Sequence, residues 1–370
     1  MPHTNVLFTG ATGYIGGTAL YRYAASDIGH HFKHANVFAL VRDPAVAAKV
    51  EELNATPLVG TLDDAAAVEK LVLDNEITTI VHMADVLNEA HETALLGALA
   101  KVKSDNEKHY ITIASGDSYG NVSKFGRHDP VSDLEDLYAA AAAAPPYMGR
   151  ALETAIHDLA AADGIKSYIV YAPLVYGKGQ GIGNQMSVQI PAVIRGAYHH
   201  REANHSHPGE EGWSIVHVED ISDLFLKVLA STLPGAQYPA KSGKAGGYYF
   251  AEAGFVSWKE LSDLVAANLH KRGFVDSPEG KQFPGVPEDR SAAVQRLNAS
   301  PFYYSLVFAG LVNLQAGRGR SIGWAPKYDK RWLVEHFDTE VEPLLAQNFK
   351  YGARVETGDK DLDEAWPSDL

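Results

Sequence analysis

The feature that most limits the folds open to this chain is a short apolar strand running straight into a glycine-rich turn and then a helix, Thr9-Gly10-Ala11-Thr12-Gly13-Tyr14-Ile15-Gly16-Gly17. Residues 5–9 read as the strand and 14–25 as the helix. That setting separates a dinucleotide fingerprint from a chance cluster of glycines. Gly10 permits the tight turn, Gly13 lets the backbone approach a pyrophosphate, and Gly16 lets helix and strand pack closely. The pyrophosphate then rests on unpaired N–H groups at the positive end of the helix, with Thr12, Tyr14 and Ile15 beside it.

The same grammar continues downstream. Short β-branched runs at 37–41, 57–59, 78–83, 110–114 and 167–171 read as buried strands. Helical spacing fills the intervals at 44–53, 64–73, 88–102 and 149–162, and Asp43-Pro44 reads as an N-cap followed by proline at the first helical position. Such alternation predicts an α/β fold, a doubly wound parallel sheet of the Rossmann kind with helices on both faces. After Gly177 the pattern loosens. Residues 213–218 and 219–230 read as one more strand and helix returning to the sheet, followed by a strand at 248–251 and helices near 258–269, 290–297 and 330–345. The division expected is a dinucleotide-binding domain from 1–178 and 213–236, a smaller mixed substrate-binding region from 179–212 and 237–350, and an acidic tail at 351–370.

The end of the second strand decides between the two nicotinamide cofactors. An NAD site places a carboxylate there for the ribose 2′-OH, and an NADP site a cation for the 2′-phosphate. Here the strand ends Leu40-Val41-Arg42. A guanidinium suits a phosphate, and the Asp43 carboxylate is engaged as an N-cap, so NADP is expected in preference to NAD. The interval from Gly16 to Arg42 exceeds the usual ~20 residues, which an insertion around residues 29–33 accounts for.

Composition narrows the chemistry. The 370 residues carry a net charge of −14 and contain no cysteine, which excludes disulfides, thiolate nucleophiles and Cys-ligated zinc. An acidic chain without a concentrated basic patch argues against nucleic acid and anionic membranes as partners. The start lacks the basic and apolar regions of a secretory signal, and the longest apolar runs fall short of the ~20 residues that span a bilayer, so a cytoplasmic protein is expected. His199, His200, His205 and His207 have no carboxylate at a regular ligand spacing, the segment reads as a polar loop, and no metal site is expected.

Five landmarks in order carry a family resemblance: Thr9 to Gly16, then Val59-Gly60-Thr61-Leu62-Asp63-Asp64, then Ile113-Ala114-Ser115-Gly116-Asp117-Ser118-Tyr119-Gly120, then Ala172-Pro173-Leu174-Val175-Tyr176-Gly177, and Val216-His217-Val218-Glu219-Asp220-Ile221. From about residue 5 to 229 the chain resembles the extended short-chain dehydrogenase/reductase superfamily, its NAD-dependent epimerase/dehydratase branch in particular. The resemblance implies that Leu62 and Asp63 border the adenine, that Ala84 lines the cofactor channel, and that Pro173, Leu174 and Val175 bracket the nicotinamide amide. Ser115 matches the serine that hydrogen-bonds the substrate oxygen. The family's acid is a tyrosine followed four residues later by a lysine. The window here is Tyr147-Met148-Gly149-Arg150-Ala151, with the tyrosine present and the lysine absent. Arg150 shares the tyrosine's helical face and is the candidate substitute. Tyr147 is the candidate acid, with Asp117 and Tyr119 as rivals. Asn184 and Gln185, on the segment that leaves the sheet, are candidate substrate contacts. Trp213 is expected to pack in the core.

Two functions follow as expectations. The first is an NADP(H)-dependent reductase acting on a carbonyl group of a small or medium molecule. The second is a cofactor-binding protein without net redox turnover, an isomerase, epimerase or cyclase, or a cofactor-sensing regulator. Ala151, Ala155, Leu159 and Ala162 form a small-residue seam, and a homodimer through 88–102 and 149–162 is expected.

Overall fold

A computed structural model of the chain describes residues 4–25, 32, 35–85, 87–125, 129–206, 209–233, 235–237, 239–284 and 291–350. Most of the proposed insertion at 29–33, His207 and the acidic tail at 351–370 lie outside the described residues. Seven parallel strands form the main sheet: β1 (Thr4–Thr9), β2 (Ala35–Val41), β3 (Thr56–Val59), β4 (Thr79–His82), β5 (His109–Ser115), β6 (Lys166–Ala172) and, after two strands given below, β9 (Tyr248–Phe250). Their order across the sheet is β9-β6-β5-β4-β1-β2-β3. The chain thus builds outward one way from β1 to β3 and then the other way from β4. Right-handed crossovers put the connecting helices of the two halves on opposite faces. The order reverses between β1 and β4, and a crevice opens there beyond the carboxyl ends of the strands, where ligands bind in sheets of this type.

The helices start where side chains can cap them. Asp43 accepts the Ala45 N–H at 2.8 Å at the start of a turn, Pro44–Val46, that continues into α2 (Ala47–Glu51). Asp64 caps α3 (Ala65–Asp74) and Asn88 caps α4 (Glu89–Lys101) in the same way. Without those acceptors the first N–H groups of each helix have no partner. The helix after the glycine turn, α1 (Tyr14–Ala25), packs against α8 (Val218–Ala230). Arg22 of α1 is fixed there by Asp223 at 2.6 Å and Glu219 at 2.8 Å.

Several sequence expectations are corrected. The strand expected at 213–218 does not return to the main sheet. As β8 (Gly212–His217) it pairs with β7 (Leu174–Tyr176) in parallel and with β10 (Phe255–Ser257) antiparallel. Pro173, which has no N–H to give a ladder, ends β6 and lets the chain turn off into this second sheet. Residues 248–250, expected on the substrate side, complete the main sheet beside β6. The segment read as a polar loop contains α7 (Gln189–His200), which buries Ile190, Val193, Ile194 and Ala197 on one face, with His199 and His200 in its last turn. The alanine run at 139–144 lies largely in a short helix, α5 (Leu137–Ala143), capped by Asp136. The helix expected at 330–345 is two, Lys330–Glu335 and Asp338–Leu345.

Candidate active site

The glycine turn has the shape its sequence asks for. Gly10 sits at φ +71°, and a Cβ there would stand 2.5 Å from the Met83 carbonyl oxygen, so the turn is closed against β4. Gly13 donates to the Gly10 carbonyl at 2.8 Å. A Cβ on Gly13 would meet only that oxygen, at 3.1 Å. That is a single tight contact where Gly10 has three, and the turn's residues fit a pyrophosphate laid on the start of α1 (Tyr14–Ala25). Tyr14 turns away from that space and donates its hydroxyl to the Gly177 carbonyl at 2.5 Å. Ile15 packs, half-buried, on the core.

Arg42 is exposed at the end of β2, while the Asp43 carboxylate is occupied by the Ala45 N–H. Beyond the end of the neighbouring β3, Asp63 accepts from the Thr61 hydroxyl at 2.7 Å and lies 3.2 Å from His91 Nε2. The nearby Thr61, His91 and Arg42 hold its carboxyl below the ordinary range. His91 Nδ1 stands 3.3 Å from Asp85. Leu62 and Ala84 are half-buried on either side of this acidic border.

The chemistry expected of Ser115 and its neighbours gathers at the end of β5. Ser115 is the last residue of the strand, and a 3-10 turn, Gly116–Tyr119, follows. The Ser115 and Tyr147 hydroxyls both lie against the buried Asp117 carboxyl, with Tyr147 donating to Asp117 Oδ2. Burial raises the Asp117 carboxyl above its ordinary value, and the two hydroxyls offset part of the rise. Tyr147 is the N-cap residue of α6 (Met148–Ala162), and its phenol is pushed well above 10 by burial and by Asp117. The register of β5 against β6 sets Ser115 opposite Ala172, so that the buried Pro173, Leu174 and Val175 follow directly beside it.

Arg150 is buried and its two terminal nitrogens bind the Ser118–Ser123 turn and Pro145. It donates to the Ser118 carbonyl at 2.5 Å, the Ser123 carbonyl at 2.9 Å, the Ser123 hydroxyl at 2.9 Å and the Pro145 carbonyl at 2.6 Å. Its guanidinium carbon stands 5.2 Å from the centre of the Tyr147 ring. Tyr119 is packed among Phe125, Tyr171 and Phe250. The side chains of Asn184 and Gln185 serve their own loop, Asn184 through the Met186 backbone and Gln185 through the Gly181 carbonyl at 2.9 Å, while the Asn184 N–H ties that loop to the Thr12 carbonyl of the glycine turn at 2.9 Å. Trp213 is buried and donates to the Ala309 carbonyl at 3.2 Å, as core packing requires.

A cavity of about 710 Å³ opens beyond β5, between the start of α4, the first half of α6 and the helix Pro301–Val307. Ser115, Asp117 and Ser118 line one wall. Glu153, which the sequence reading did not single out, lines another. It accepts from the Ser118 hydroxyl at 2.5 Å and the Tyr171 hydroxyl at 2.8 Å, and burial pushes its carboxyl up to about 7. The signal was present in the spacing: Arg150, Glu153, Ile156 and Ala160 fall on one helical face, and all four are buried. Charged residues at core positions of an amphipathic helix mark either a buried network or a site.

Comparison with known proteins agrees with this geometry. The family model described as "NAD dependent epimerase/dehydratase family" matches residues 6–238. The chain is 28% identical over 285 residues to the oxidase ucsJ of an Acremonium species, covering 73% of this chain and 80% of that protein. It is 26% identical over 270 residues to an uncharacterized protein, C2A9.02, of Schizosaccharomyces pombe, covering 71% and 80%. Among solved structures, DesIV, a dTDP-glucose 4,6-dehydratase from Streptomyces venezuelae with NAD and TYD bound, superposes with a TM-score of 0.63 at 16% identity over 94% of this chain and all of that one. A UDP-glucose 4-epimerase from Thermotoga maritima gives 0.60 at 16% identity over 92% and 100%. At such identities the structural likeness speaks for the fold.

Proposed function

The chain belongs to the NAD dependent epimerase/dehydratase family, and on that footing we propose that it is an NADP(H)-dependent oxidoreductase of the extended short-chain dehydrogenase type, reducing a carbonyl group of a small or medium organic molecule. The observation that carries the reading is the convergence of two hydroxyls, Ser115 and Tyr147, on Asp117, with Ser115 and Asp117 lining a cavity beyond the strand ends and Tyr147 behind them. When bound, the reduced cofactor supplies a hydride to the carbonyl carbon. Ser115 orients the carbonyl oxygen by hydrogen bonding and stabilises the charge that develops there. Tyr147 holds the proton for that oxygen. Its phenol is too weak an acid to lose the proton to water near neutrality, yet an alkoxide is a stronger base than a phenolate and takes it readily. Asp117 sits behind both hydroxyls as their common acceptor and fixes their orientation. Arg150 acts by holding the Ser118–Ser123 turn and the Tyr147 ring in position.

The exposed Arg42, beside an aspartate already used as a cap, supports NADP over NAD. A second reading, cofactor binding without net redox turnover, draws on Ala151, which leaves Tyr147 with no ammonium to lower its pKa. An NADPH-oxidation screen over aldehydes, ketones, enones and nucleotide sugars, run with the unmodified chain, Ser115→Ala and Tyr147→Phe, separates the two. Turnover that falls by about two orders of magnitude in each variant is expected for the reductase. Cofactor binding with no oxidation by any substrate supports the second reading. Calorimetry with both cofactors should show tighter NADPH binding, and Arg42→Ala should abolish the preference.

A further inference from the structure

The walls of the cavity carry charge of one sign. Asp85 and Glu89 stand exposed at its mouth, and Asp117 and Glu153 are buried at its floor. Among the described residues no lysine, arginine or histidine lines it. The nearest guanidinium, Arg150, is turned to the carbonyls of Ser118, Ser123 and Pro145.

The two buried carboxyls line the same cavity, and the charge of Asp117 raises the proton affinity of Glu153. Burial is the leading cause at both, and Arg150 is the one cation that acts on either carboxyl, as the last of the causes at each. Ser118 and Tyr171 satisfy two lone pairs of Glu153, and Ser115 and Tyr147 face Asp117, but all four are neutral hydroxyls. Buried carboxylates are stable when a cation pairs with them. An incoming phosphate or carboxylate would instead meet two acids in a place where water screens poorly.

Resting on the reading of this cavity as the substrate site of an NADP(H)-dependent reductase, we infer that the cavity is built for a carbonyl compound that also carries a positively charged nitrogen, held between Asp117 and Glu153, and that it turns away compounds bearing phosphate or carboxylate. The site itself is argued from its place beyond β5 and from the Ser115 wall. The four acids decide which charge it accepts. The reduction balances in the usual way, with the carbonyl carbon gaining a hydride from the reduced nicotinamide and the oxygen a proton from the Tyr147 hydroxyl, while the ammonium nitrogen is unchanged and serves only to place the molecule.

Matched ketones test this. Cyclohexanone, acetophenone and 2-decalone skeletons, each as the neutral parent, an ammonium-substituted form and a carboxylate-substituted form, are added at millimolar concentration to the chain saturated with NADP⁺, and the shift in melting temperature and the heat of binding are read, alongside UDP-glucose as a diphosphate probe. The ammonium member of at least one set should bind about tenfold or more tighter than its neutral parent, and no carboxylate member or UDP-glucose should bind as well. Glu153→Gln should reduce that ammonium preference severalfold. Glu89→Gln, at an exposed position where folding is not at stake, should reduce it about twofold by weakening the field at the mouth. A carboxylate member or UDP-glucose binding as tightly as the ammonium member, no ammonium member that binds, or a preference unchanged in both variants overturns the inference. The ketone reductase reading is scored separately by NADPH oxidation with the neutral parents: if they turn over while the ammonium preference is absent, only the charge inference falls.

Discussion

Glu92 is buried beneath the glycine turn, where it accepts from the Tyr110 hydroxyl at 2.6 Å and the Thr112 hydroxyl at 2.9 Å. Its Oε1 lies 3.8 Å from His82 Nε2, and the other nitrogen of His82 is 2.6 Å from the Thr9 hydroxyl. Burial pushes Glu92 up to about 7 and His82 down to about 3, so both are favoured in their neutral forms. The sign of the pH effect follows. A carboxyl raised from 4.5 to about 7 binds more proton in the folded chain than in the unfolded one across that interval. Its contribution is complete below the unfolded value and is lost as pH rises through the folded one, a change of order 3 kcal/mol. Glu92→Gln removes this dependence while His82 contributes equally to both chains. The melting temperature of the variant relative to the parent should rise steadily from pH 5 to pH 8, and a gap that does not move with pH would refute the assignment. Residues of this type were the least legible in the sequence. Gly10 and Asp43 announce their backbone roles through local context, and each adopts the expected one, a tight turn at Gly10 and an N-cap at Asp43. Glu92 and Glu153 have partners distant in the chain, Tyr110 and Tyr171 among them, and nothing local predicts those pairings.

At the level of elements, the repeating strands and helices up to residue 172 were readable because the central strands β1, β4, β5 and β6 are largely buried and α3, α4 and α5 begin with a capping side chain, whereas β3, expected to be buried, lies at the sheet edge with Thr56 and Val59 exposed. The later elements were obscured for definite reasons. In α7 the glycine and histidines dilute an apolar face that is nonetheless continuous, and β8 has the composition of a main-sheet strand while its partners, β7 and β10, are too short to advertise themselves. The glycine turn allows a sharp separation of fold from binding. Gly10→Ala forces a side chain into the left-handed region and against the Met83 carbonyl, so it should cost about 1–3 kcal/mol of stability and be seen as a lower melting temperature. Gly13→Ala meets one backbone oxygen at 3.1 Å without a left-handed backbone, so it should lower the melting temperature less than Gly10→Ala, yet weaken NADPH at least tenfold if the pyrophosphate lies against this turn. Loss of binding in neither variant would remove the phosphate assignment.

For the whole molecule, the seam on α6 faces outward at Ala151, Leu159 and Ala162, with Ala155 half-buried, and the expected consequence is a twofold pairing of α4 and α6 with a second copy. Sedimentation equilibrium should give a dimer at micromolar concentration, and Leu159→Glu should return it to a monomer of unchanged helix content. A monomer in the unmodified chain would end that idea. The sheet order has a different bearing, on how the chain is made. From β4 onward, strands join in the order of synthesis at one growing edge, β4, β5, β6 and finally β9. When Ala172 has left the ribosome, six strands can be in place, but β6 then presents Tyr168, Ile169, Val170 and Tyr171 along an unpaired border until Tyr248–Phe250 arrives. At roughly 5–20 residues per second that border waits for several seconds, long enough for a neighbouring nascent chain to pair with it. That exposure falls during translation, and the length of the segment between β6 and β9 sets how long it lasts.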